Sequence, residues 1–129
     1  MGEKEVVRTE RAPAPFQGAP YSQAIRANGL VFVSGQLSLQ PEHAEIVGDS
    51  IQEQTERVFD NLQAILQEAG SGLDRIVKTT VFLTDLGDFP AMNEVYARHV
   101  GSAPPARSTV GISALPSGGI VEIEAIAVV

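Results

Sequence analysis

Ile120-Val121-Glu122-Ile123-Glu124-Ala125-Ile126-Ala127-Val128 carries apolar residues at neighbouring positions, broken only by two glutamates two apart. Strict apolar/polar alternation marks a strand with one wet face. An apolar run marks a strand covered on both sides. Leu30-Val31-Phe32-Val33 reads the same way. Side chains alternate along a strand, so Glu122 and Glu124 share one face. The fold therefore has to supply cover for both faces of a sheet.

Working outward, Ser50 with Glu53 forms a capping box. Behind it Ile51, Val58, Phe59, Leu62, Ile65, Leu66 and Ala69 recur at helical spacing, with Gly70 and Gly72 as stops. Ile76 to Leu83 is rich in β-branched residues and predicts a strand. Asp88 is placed to cap a second helix with the stripe Phe89, Met92, Val95, Tyr96 and Val100, ended by Gly101 and Pro104-Pro105. Asn28-Gly29 between Tyr21–Ala27 and Leu30–Leu37 predicts a hairpin. Lys4 to Thr9 suits a short strand, and the prolines at 13, 15 and 20 make Arg11–Pro20 a loop. Further strands are expected over Ala106–Ile112 and Ile120–Val128.

The order ββ(β)αβαββ predicts an α+β fold in one domain, residues 1–129, with an N-terminal strand and proline-rich loop over 1–20. It has a single mixed sheet with both helices on one face. Two helices cannot cover both sides. The other face is expected to meet another subunit, so the chain reads as an obligate oligomer.

Composition narrows the function. The 129 residues fit one core. The net charge is −7, and the nine Lys and Arg are scattered. A nucleic-acid binder relies on a basic face, so none is expected here. No stretch approaches the roughly 20 apolar residues of a membrane helix. No apolar leader is visible, and Met1-Gly2 is not followed by the Ser or Thr that a myristoylation site needs at position 6, where Val6 stands. A cytoplasmic location is the expectation. With no cysteine, disulfides, thiolate nucleophiles and cysteine-ligated metals are excluded. His43 and His99 are too far apart in sequence to suggest a metal site, and no P-loop or complete dinucleotide fingerprint occurs. Neither a metal nor a cofactor is expected.

Arg107, within Pro105-Ala106-Arg107-Ser108-Thr109-Val110, is a cation in an apolar, small-residue segment and needs an anion. It either pairs with Glu122 or Glu124 or holds an anionic substrate while a glutamate handles protons. The paired glutamates can equally mark a solvated face. Gly35, in Ser34-Gly35-Gln36, either admits a close approach to the backbone or marks a bulge. Tyr21 suits a pocket wall or a half-buried aromatic position. Asn93, unfavourable within a helix, either has a polar partner or faces solvent.

Several segments together, in order and at matching spacing, resemble the reactive-intermediate deaminase family (RidA/YjgF, also called endoribonuclease L-PSP). They are Ala19-Pro20-Tyr21-Ser22-Gln23-Ala24, Val33-Ser34-Gly35-Gln36, Gln54-Thr55 with Asn61-Leu62, Val77 to Leu83, Asp88-Phe89, Asn93-Glu94-Val95-Tyr96, Pro105-Ala106-Arg107-Ser108 and Val121 to Ala127. The resemblance spans about Pro20 to Val128. It implies a chorismate-mutase-like fold, a homotrimer with active sites between subunits, and hydrolysis of 2-imino acids to 2-oxo acids and ammonia. It implies that Arg107 binds the substrate carboxylate and Glu122 assists the water. Tyr21, Ser34, Gly35, Asn93 and Thr109 would contact the substrate. The chain departs from many members in having Thr109 where cysteine is common, Gly111 where an acid is common, and Ala44 where glycine is frequent. A non-catalytic binder of 2-oxo acids would need the same arginine, and a ribonuclease would lack its basic stripe.

Overall fold

The computed structural model describes residues 3–129, so Met1-Gly2 and the reading made on them lie outside it. Strands β1 (Glu5–Val7), β2 (Ala24–Ala27) and β3 (Leu30–Gln36) precede helix α1 (Ile51–Glu68). Then follow β4 (Ile76–Leu83), α2 (Phe89–Val100), β5 (Ala106–Gly111) and β6 (Val121–Val128). All six strands form one sheet in the order β1-β2-β3-β6-β4-β5. Only the β4–β5 pair is parallel, as the intervening α2 crossover requires. The sheet is mixed and both helices pack on one side of it, as expected.

Local chemistry explains the elements. Asn28 and Gly29 both take positive φ, 52° and 76°, the geometry that a two-residue hairpin turn demands. At the start of α1 the Glu53 N–H donates to Ser50 Oγ at 3.0 Å, and the Ser50 N–H donates back to Glu53 Oε1 at 3.1 Å. The backbone N–H groups of Ser50, then Asp49, hold the Glu53 carboxyl below its ordinary pKa. Val58, Phe59, Leu62, Ile65 and Leu66 of α1 are fully buried against Val31, Val81, Val121 and Ile123 of the sheet.

Some expectations change. Asp88 makes no capping hydrogen bond. A short 3-10 turn, Leu86–Asp88, leads into α2, and Asp85 caps that turn by accepting from Gly87 N–H at 2.8 Å. The cap sits one turn earlier because a tight turn precedes the helix. The loop Arg11–Pro20 contains a 3-10 turn at Phe16–Gly18. The first strand is confined to Glu5–Val7 and β2 starts at Ala24, because Gln23 has another task. Its buried side chain accepts from Thr9 N–H (2.8 Å) and donates to the carbonyls of Thr9 (3.0 Å), Ala12 (3.1 Å) and Pro13 (2.8 Å). One amide thus fastens a proline-rich segment that has few ladder bonds of its own.

Alternation along the strands sorts residues between two faces. Thr79, Val81, Leu83, Val121, Ile123, Ala125 and Ala127 lie under the helices and are buried. The opposite face has no covering layer in the protomer, where Phe32 and Val110 remain 42% and 40% exposed. Lys78, Thr80, Ser108, Glu122 and Glu124 share that face with them, so the uncovered side is mixed in polarity.

Candidate functional site

The candidate residues fall into two groups. Tyr21, Ser34, Gly35 and Glu122 line one cleft of about 440 Å³, with Phe16, Pro13 and Pro116 completing its walls. The β3–β6 register slips between Val33 and Gln36, and Gly35 sits in that irregularity. A Cβ at position 35 would lie 2.8 Å from both the carboxyl carbon and Oε2 of Glu122. Glycine is therefore required for the carboxylate to rest against the β3 backbone. Ser34 Oγ donates to the Ser22 carbonyl at 2.6 Å, tying β3 to the Tyr21 segment. The Tyr21 hydroxyl accepts from Phe16 N–H at 2.8 Å, which leaves its own proton to donate. Desolvation by burial, and secondarily the charge of Glu124, push the Glu122 carboxyl above its ordinary pKa. The shift is in the direction that a proton-transferring carboxyl requires.

Arg107 lies elsewhere. It pairs in register with Thr79, a helix-facing residue of β4, while Glu122 pairs with Phe82 on the uncovered face. Within one protomer, Arg107 and Glu122 are on opposite sides of the sheet. The ion pair considered from sequence, Arg107 with Glu122 or Glu124, therefore does not form. The ion pairs among the described residues are Arg26–Glu5 and His99–Glu56, and Arg107 takes part in neither. Its guanidinium lies instead 4.7 Å from the Tyr96 ring centroid and 5.3 Å from that of Phe89.

Asn93 is four residues after Phe89 and three before Tyr96, so it belongs to the same helix stripe. Thr109 pairs with the helix-facing Val81 and shares the face of Arg107. Asn93 Oδ1 and Thr109 Oγ1 are buried without a hydrogen-bond partner in the protomer. Buried polar atoms rarely go unpaired, so a water or a ligand could serve either of them. Gly111 has a packing role: a Cβ there would lie 3.0 Å from Leu86 Cγ.

Sequence reasoning placed Phe89 and Tyr96 in an apolar core stripe and missed their contact with Arg107. The signal that could have found them is their spacing around Asn93 on one face of α2. It also left Gln23 as a motif residue with no task. Among the described residues, no group of three or more His, Asp or Glu is placed to hold a metal ion. No helix is long and apolar enough to cross a membrane among the same residues.

Residues 9–129 match the family model described as endoribonuclease L-PSP. The chain is 52% identical over 124 residues to a RutC family protein of Pyrococcus abyssi, covering 96% of each. It is 50% identical to the chloroplastic Reactive Intermediate Deaminase A of Arabidopsis thaliana, covering 96% of this chain and 65% of that one. The solved structure of E. coli TdcF with bound serine superposes with a TM-score of 0.88 at 40% identity, covering 97% of this chain and 98% of TdcF. With nearly its whole length matched in sequence and in fold, the chain belongs to the endoribonuclease L-PSP family, the group that includes the reactive-intermediate deaminases.

Proposed function

We propose that this protein hydrolyses small 2-imino acids, such as 2-iminobutanoate and 2-iminopropanoate, to 2-oxo acids and ammonia. It does so without a metal or cofactor, at sites shared between the subunits of a homotrimer. The observation that carries this reading is the placement of Arg107 and Glu122 on opposite faces of one sheet. Each lacks the partner its chemistry calls for. Arg107 is a cation with no acid beside it, and Glu122 is a carboxylate raised in pKa with no cation beside it. Packing the uncovered face of one subunit against the β5 edge of the next supplies both. Relatedness to a reactive-intermediate deaminase and to a protein crystallised with an amino acid supports the substrate class.

Arg107 grips the substrate carboxylate through two parallel N–H···O bonds and fixes the imine carbon. Thr109 and Asn93, with their unpaired oxygens, hold the polar groups beside it. Glu122 accepts a proton from water as the oxygen attacks the C=N carbon, and the π pair moves onto nitrogen. Glu122 then returns that proton to nitrogen. The C–N bond breaks, ammonia leaves, and the hydroxyl proton is lost as the C=O bond forms. One water is consumed and one 2-oxo acid and one ammonium are produced. The iminium is already electrophilic, so the protein supplies position and a proton acceptor.

The deciding experiment is complementation. Arg107→Ala and Glu122→Gln are each expected to be inactive. Mixed, unfolded and refolded together, they should regain about a quarter of wild-type activity, because some sites then draw an intact Arg107 and an intact Glu122 from different subunits. Light scattering should give a trimer. No recovery in a folded mixed trimer would overturn the shared site. The binding-protein reading rests on the serine-bound relative. It would gain if the wild-type trimer binds 2-oxobutyrate yet leaves freshly generated 2-iminobutanoate untouched.

A further inference from the structure

Arg107 is held in an unusual way for a cation meant to bind an anion. Among the described residues it has no carboxylate partner, and its guanidinium packs on two aromatic rings carried on α2. Phe89 and Tyr96 are seven positions apart on that helix, so both rings project toward the same side. Tyr96 is 5% exposed and is itself fixed on two sides. Its hydroxyl is 2.6 Å from Thr79 Oγ1, and the Phe59 ring meets it edge-on at 5.5 Å and 77°. Thr79 is fully buried and is the register partner of Arg107 across the β4–β5 ladder. A circuit closes: the Arg107 backbone pairs with Thr79, the Thr79 hydroxyl bonds Tyr96, and the Tyr96 ring carries the Arg107 guanidinium.

We infer that Tyr96, locked by Thr79, is the positioning residue that presents Arg107 to carboxylate substrates, using a ring face where most proteins would use an acid. The inference rests on the reading of Arg107 as the carboxylate anchor. An acid partner would occupy the N–H fork and compete with the substrate. Ring faces attract the cation through their quadrupole and leave the fork's N–H edge open. The arrangement also lowers the rotamer entropy that a free arginine would lose on binding.

The test is ligand binding by calorimetry, with 2-oxobutyrate and its neutral amide as probes. The proteins are wild type, Arg107→Lys, Tyr96→Leu, Tyr96→Phe and Thr79→Val. Tyr96→Leu should raise the Kd for 2-oxobutyrate about three- to thirtyfold while leaving the Kd for the amide unmoved. Tyr96→Phe and Thr79→Val keep the ring but free it, and should each raise the 2-oxobutyrate Kd about two- to fivefold. In turnover the loss should fall on KM, with kcat retained at saturation. If Tyr96→Leu does not fold, the two milder variants decide, because an unchanged 2-oxobutyrate Kd in both overturns the inference. Equal loss of acid and amide in any folded variant also overturns it, since that is what a merely structural residue would give. If Arg107→Lys binds 2-oxobutyrate as wild type does, the anchor reading falls and this inference with it. If Arg107→Lys loses affinity and Tyr96→Leu does not, only the positioning role falls.

Discussion

The Glu122 carboxyl group occupies the space where a side chain on Gly35 would begin. A Cβ there would stand 2.8 Å from the Glu122 carboxyl carbon. The glycine is needed for its lack of a side chain, since no positive φ is recorded for it.

Gly35→Ala should therefore fold, because the far end of Glu122 can swing aside, but it should not work well. Displacing the proton acceptor by a fraction of an ångström to an ångström is expected to lower kcat about tenfold or more. Circular dichroism and a thermal melt, set beside steady-state rates, check both halves of this expectation.

Arg107 and Glu122 should fail differently. Arg107→Lys keeps the charge and loses the fork, so kcat/KM should fall about tenfold or more, with weaker binding of 2-oxo acids. Glu122→Gln should retain ligand binding and lose about 10²-fold in kcat. Glu124→Gln is the comparison, and as an exposed rim residue it should cost much less. A Glu122→Gln trimer turning over at the wild-type rate would remove Glu122 from the mechanism.

Activity should have an acidic limb set by Glu122. Burial, then Glu124, raises its folded pKa above the ordinary 4.5, so protonation disables the base at a pH above that value. In stability the sign is opposite to that of a salt-bridged acid. A raised folded pKa favours the fold below the unfolded value and loses that contribution as pH rises through the folded one. Glu122→Gln should erase the acidic limb and gain stability over wild type at neutral pH, and pH–rate profiles with denaturant titrations measure the two effects.

Ser50→Ala should cost about 1 kcal/mol by removing the Ser50 half of the box that starts α1. Its site is remote from the cleft, so kcat should not change. The depressed Glu53 carboxyl contributes stability above the unfolded pKa and loses it as pH falls through the folded one. The backbone N–H groups that chiefly lower the Glu53 pKa survive Ser50→Ala, so most of this acid-sensitive contribution should remain in the variant when read from urea midpoints.

Exhaustive dialysis against EDTA should leave deamination intact if, as proposed, Arg107 and Glu122 together cover charge and proton transfer. Activity lost and then restored by one particular metal would refute that division of labour.

The sheet and helices were legible because their signals are local. Asn28-Gly29, the Ser50–Glu53 box and the apolar period of α1 each act within a few residues. Asp88 misled because a 3-10 turn and a helix start look alike in sequence, and only the preceding geometry assigns the cap to Asp85. The candidate residues were chosen by their type and by family resemblance. Their distribution over two faces was not, since it follows from register: Arg107 opposite Thr79, and Glu122 opposite Phe82. The spacing of Phe89 and Tyr96 around Asn93 marks one helix face, but that Arg107 packs on it follows only from the fold, because the contact joins a helix to a strand, with Thr79 on a third element holding the Tyr96 hydroxyl.

The Gln23 clasp separates two kinds of inheritance. Glu122 is fixed by its register in β6, between β3 and β4. Pro13 and Phe16, which wall the same cleft, lie on a segment held by the Gln23 amide to the backbones of Thr9, Ala12 and Pro13, by Arg11 on α1 and by the Tyr21 hydroxyl. Backbone bonds tolerate almost any side chain. On the proposed mechanism, that wall can be recut for bulkier or smaller guests while Glu122 stays in place, so appetite and chemistry can drift apart in evolution.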